Sequence, residues 1–143
     1  MNRAVIFDVN ETMLDLAALD PLFVAWFGEA AVRKTWFAQT LHYAMTLAAT
    51  RTFRDFGEVG AAALAAVARQ RGVVLPEDAP ARLRENMLRL PAHTDVAPAL
   101  RILREAGFMT AALSNNPLPV VEEQLRHTGL SPYFDAIMSV DEA

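Results

Sequence analysis

The chain has 143 residues, 53 per cent apolar and 21 per cent charged, which suits one folded domain with a real core and excludes a disordered segment. Its 13 basic residues, against 17 acidic ones and a net charge of −4, are scattered rather than clustered, so no nucleic-acid partner is expected. With no cysteine, disulfides, thiolate metal sites and cysteine nucleophiles are all excluded.

The first predicted element is the run AVIFD, residues 4–8, apolar without alternation, as in a parallel strand covered on both faces. It is shorter than a signal-peptide core and far shorter than a membrane span, so a soluble, cytoplasmic protein without a membrane partner is expected. A strongly helical stretch follows: DPLFVAWFGEA, AVRKTWFAQTLHYAMTLAAT, FGEVGAAALAAVARQRG and PARLRENMLRLP read as four helices separated by Gly, Pro or short polar breaks. DVAPALRILREAGF then gives a helix with Asp95 as N-cap and Gly107 at its end. Next comes a second strand within FMTAALSNNP, residues 108–117. LPVVEEQLRHTGL forms a helix closing on Gly129, and FDAIMSVDE, residues 134–142, is a third strand.

The last two strands with their helix make a βαβ unit, so the expected fold class is α/β, a Rossmann-like parallel sheet. The four helices form an inserted α-helical cap, since a simple crossover needs only one. Residues 1–14 and 92–143 are assigned to the sheet-bearing core and residues 15–91 to the cap, set over the carboxyl edge of the sheet. Ligands of open parallel sheets bind beyond that edge. Asp8 ends the first strand and Ser114 with Asn115 the second, so three polar side chains are expected in one crevice. The carboxylate there can be a nucleophile, a metal ligand or an N-cap for the following turn.

FDVNETMLDL followed by ALSNNP and GLSPYFDAIMSVDEA, with helices between the first two, resembles the haloacid dehalogenase-like superfamily, and within it the type II 2-haloacid dehalogenases. The resemblance covers essentially the whole chain. It implies a hydrolase in which Asp8 attacks the halogen-bearing carbon of a small 2-haloacid, displaces halide and forms an ester that water hydrolyses. Asn10, Thr12, Ser114 and Asn115, with the backbone amides of residues 10–12, would hold the substrate carboxylate. Phosphatases of the superfamily place an acid two residues after the nucleophile. Asn10 cannot donate a catalytic proton in that way and removes one carboxylate from any Mg²⁺ site, so metal-independent chemistry without a cofactor is expected. A phosphatase remains the nearest rival, and a catalytically inactive interaction module is the non-enzyme alternative.

Two features depart from the family. Where an arginine following a cap tryptophan takes up halide, this chain has Phe37 after Trp36; Arg33, Arg51, Arg54 and His42 are candidate substitutes. Trp36, Phe37, His42, Tyr43 and Phe56 are candidate pocket residues, although aromatic side chains at helical spacing also serve as plain core. The family's third motif is a lysine after the third strand, and its fourth follows a further strand. The only lysine here is Lys34, in the cap, and the sequence stops at Ala143, so the resemblance implies a truncated chain with an incomplete site. The first strand would then be an unpaired edge, from which a homodimer is expected.

Overall fold

The structure is a computed structural model and describes residues 3–140. The chain divides into two compact units, one of residues 1–16 and 88–143 and the other of residues 17–87. These boundaries lie a few residues inside the expected cap at both ends, and backbone pairing explains why. Asp15 N–H donates to the Pro91 carbonyl, His93 N–H donates to the Met13 carbonyl, and Leu14 bridges to Ala92. The two chain passages are thereby stitched into the sheet-bearing unit. The last insert helix ends at Met87, before the expected Pro91.

In the sheet unit, β1 (Ala4–Asp8), β2 (Met109–Ser114) and β3 (Ala136–Ser139) form a parallel sheet in the order β1-β2-β3. The register pairs Asp8 with Leu113 and Ser114 with Ser139, so all three strands end at one edge. The uniformly apolar sequence of β1 is that of a strand covered on both faces. Instead its burial alternates, and Ile6 is 59% exposed. The packed helices lie elsewhere, α5 (Val96–Glu105) on β2 and α6 (Leu118–His127) on β3.

Asp95 precedes α5 as expected, but its backbone is already helical and its side chain makes no capping bond. α6 starts after Pro117 and is followed by Gly129, whose φ of +71° suits a residue without a side chain. There the Leu130 amide reaches back to the Leu125 carbonyl, a Schellman-type closure that buries Leu130. On the exposed side of α6, hydrogen bonds from Arg126 hold the Glu123 carboxyl below its ordinary value. β3 is shorter than the expected run, whose final residues 141 and 142 lie outside the described ones.

The helical unit contains α1 (Asp20–Phe27), α2 (Val32–Ala49), α3 (Phe56–Arg71) and α4 (Ala79–Met87), close to the four expected segments. Fully buried Phe23 lies at its centre, 5.4 Å from the Trp36 ring, 5.8 Å from Trp26 and 5.8 Å from Phe27. Trp36 donates its indole N–H to the Gly60 carbonyl at 2.8 Å, locking α2 to α3. Buried Arg33 pairs with Asp20, tying α2 to α1.

Asp55 caps α3 by accepting from the amides of Gly57 and Glu58 at 2.8 and 3.1 Å. Asp55→Ala is expected to cost about 1 kcal/mol of stability in chemical denaturation, the usual value of such a cap.

Candidate active site

The site is built at the carboxyl edge of the sheet. Asp8 ends β1 with its side chain exposed, and one carboxylate oxygen, Oδ2, accepts the Thr12 hydroxyl at 2.7 Å. Thr12 reaches it because the chain turns immediately after the strand: the amides of Met13 and Leu14 both return to the Val9 carbonyl, and Glu11 adopts φ +67°. The residues after Asp8 form a turn rather than a helix, and the bond described for its carboxylate comes from the Thr12 side chain within that turn.

The second strand end lies alongside, since Ser114 is one residue beyond the register partner of Asp8. Ser114 is buried, and its Oγ accepts the Asn116 amide at 3.1 Å, which leaves the hydroxyl proton available to an acceptor. Asn115 is exposed. Asn10, a candidate substrate contact, is buried, and its Oδ1 accepts from Gln124 Nε2 at 3.4 Å. Among the described hydrogen bonds, Asp8 and Thr12 are joined directly, whereas Ser114, Asn115 and Asn10 are related to them through strand register and the turns.

Three buried polar residues escaped the sequence reading. Gln124 Oε1 accepts from Asn116 Nδ2 at 3.2 Å, and Ser139 Oγ donates to the Asn116 carbonyl at 2.6 Å. The signal for Gln124 lay in α6 itself, where a polar residue stands on the same stripe as Val121 and Leu125. Asn116 and Ser139 carried no comparable signal.

Glu11, Asp15 and His93 offer ligand atoms within 4.8 Å of one another, a spacing open to a divalent cation. Two of them already bind the loop: Glu11 Oε2 accepts the Leu16 amide at 3.2 Å, and His93 Nε2 lies 3.0 Å from the Glu11 carbonyl. Asp8 is not part of this group.

Within the helical unit, Tyr43, Thr46, Leu47, Arg54, Glu58, Val59 and Ala62 line a cleft of about 460 Å³. Of the five candidate pocket residues only Tyr43 lies on it. Trp36 and Phe56 are buried in the core, Phe37 is half-buried against Trp36, and His42 is exposed. Among the candidate replacement cations, Arg33 is paired with Asp20, Arg51 is exposed, and Arg54 borders the cleft.

A parallel α/β sheet with a carboxylate at the end of its first strand and a helical insertion defines a class of hydrolases. Residues 2–143 match the haloacid dehalogenase-like hydrolases, and the chain belongs to that family. Haloacetate dehalogenase H-2 of Moraxella sp. (strain B) is 29% identical over 143 residues, covering 99% of this chain and 64% of the relative. (S)-2-haloacid dehalogenase 1 of Pseudomonas sp. (strain CBS-3) is 30% identical over 142 residues, covering 98% and 63%. The L-2-haloacid dehalogenase structure from Xanthobacter autotrophicus with chloropropionic acid covalently bound superposes with a TM-score of 0.86 at 28% identity, covering 99% of this chain and 58% of that one. The chain thus spans less than two thirds of the length of each of these relatives. No helix among the described residues is long and apolar enough to cross a membrane.

Proposed function

We propose that the protein is a hydrolase that dehalogenates a small 2-haloacid through an ester on Asp8. The observation that carries this reading is the carboxylate of Asp8, exposed at the end of β1 and oriented by the Thr12 hydroxyl. The likeness to a dehalogenase with covalently bound chloropropionic acid supports it.

Thr12 engages Oδ2 and leaves Oδ1 as the attacking atom. Attack on C2 of the haloacid forms the C–O bond as the carbon–halogen bond breaks, and the electron pair leaves with halide. Water then attacks the ester carbonyl, one of its protons passing to the departing oxygen of the 2-hydroxy acid and the other to solvent, and the carboxylate returns. The free hydroxyl proton of Ser114 and the amide of Asn115 are suited to the substrate carboxylate. Asn10 stands where the phosphatase reading needs an acid, and a carboxamide cannot serve as one; its Oδ1 accepts from Gln124.

The test is a single turnover of 2-chloropropionate in ¹⁸O-water. Halide release with ¹⁸O incorporated into the Asp8 carboxylate supports the ester route. Release with ¹⁸O only in the product on the first turnover rules it out, because water would then have attacked C2 directly.

The proposed reaction needs no cofactor. Addition of EDTA is therefore expected to leave the halide-release rate unchanged, whereas a loss restored by Mn²⁺ or Zn²⁺ would assign a role to Glu11, Asp15 and His93. The functional form is proposed to be a cytoplasmic homodimer, a reading supported by the cysteine-free sequence and by the open face of β1.

A further inference from the structure

We propose that Gln124 is a positioning residue that fixes the turn behind the nucleophile relative to the turn that receives the substrate carboxylate; this rests on the reading of Asp8 as nucleophile. Gln124 is 1% exposed, and a buried amide is tolerated only where both its ends find partners. Its Nε2 donates to Asn10 Oδ1, in the turn that brings Thr12 onto Asp8. Its Oε1 accepts from Asn116 Nδ2, in the turn where the Asn116 amide engages Ser114.

A single side chain from α6 therefore touches both loops, one between Asp8 and Thr12 and the other directly after Ser114. Ser139 fastens the second loop from β3 by donating to the Asn116 carbonyl. The width of the Gln124 amide sets the separation of the two loops. Neither Gln124 nor Asn116 needs to touch the reacting atoms to act, because a small misplacement of a catalytic group lowers the rate steeply.

The test compares three variants of the protein with 2-chloropropionate as probe, well below every melting temperature. Gln124→Met keeps the shape and loses the bonds to Asn10 and Asn116. Gln124→Glu, as the neutral acid, can donate to Asn10 and accept from Asn116. Leu125→Ala removes a neighbouring core side chain from the same helix without touching the bridge. The expected result is a kcat loss of about tenfold or more in Gln124→Met, a loss within about threefold in Gln124→Glu, and little change in Leu125→Ala at a similar loss of melting temperature. Equal kcat in Gln124→Met and Leu125→Ala would overturn the assignment and leave the proposed function standing.

Backbone amide NMR separates the two readings. Thr12 and Asn115 signals are expected to move in Gln124→Met and not in Leu125→Ala. If the unaltered protein releases no halide yet those signals move, the coupling stands and the proposed function falls; unmoved signals remove the coupling whatever the activity. Should Gln124→Met not fold, Asn116→Ala is read in the same way, since it removes one end of the bridge and keeps the backbone bonds to Ser114 and Ser139.

Discussion

Asp8→Asn is expected to abolish halide release from 2-chloropropionate, by at least about 10⁴-fold in kcat, because the amide has no nucleophilic oxygen while its size is unchanged. The Thr12 hydroxyl can still donate to the new carbonyl, so the turn of residues 9–14 is expected to keep its shape. That combination separates chemistry from folding: circular dichroism and melting temperature stay near those of the parent while the rate collapses. Because an exposed asparagine can deamidate back to aspartate, Asp8→Ala serves as the companion variant, with the same loss of rate. An Asp8→Ala variant that retained more than a tenth of the parent rate would exclude Asp8 as nucleophile and reopen the phosphatase and interaction-module readings.

The second large effect concerns the helical unit. Phe23→Ala is expected to cost about 3–5 kcal/mol, the usual range for emptying a buried aromatic site. Phe23 has no exposed surface, and three aromatic rings surround it, from Trp26 and Phe27 on its own helix and Trp36 on α2. Rings held in stacked, tilted and edge-on contact relax poorly into a void, so the cost falls toward the upper part of that range. The melting temperature should drop by on the order of 10 °C. The carboxyl-edge bonds of the sheet unit do not involve Phe23, so a change of stability below about 1.5 kcal/mol would show that the unit repacks and that the aromatic cluster is not its main support.

What the sequence disclosed follows from what each feature depends on. Asp8 and Ser114 were legible because an apolar run that breaks into a polar turn marks a strand end, and both ends fall at one sheet edge. The four insert helices were legible from Gly and Pro punctuation, as Gly28 and Gly72 bear out with left-handed backbones after α1 and α3. The buried amide chain was not legible. It depends on which face α6 turns toward the sheet and on the β2–β3 register, neither of which is local to Asn116 or Ser139. The same limit hides the partner of the Asn10 side chain, which lies two residues after Asp8 and accepts from Gln124. In the insert, aromatic residue type pointed at Trp36 and Phe56, while the cleft is walled largely by aliphatic and charged side chains such as Leu47, Val59 and Arg54.

Both tryptophans of the chain, Trp26 and Trp36, reside in the helical unit, and the sheet unit has none. Intrinsic fluorescence excited at the red edge of the tryptophan band is therefore an optical label for one unit only, written into the sequence. Followed through a urea titration beside the far-ultraviolet circular dichroism of the whole chain, it reports whether the two units melt together. Coincident curves would describe a single cooperative body, and an earlier loss of emission signal would identify the insertion as the part that opens first.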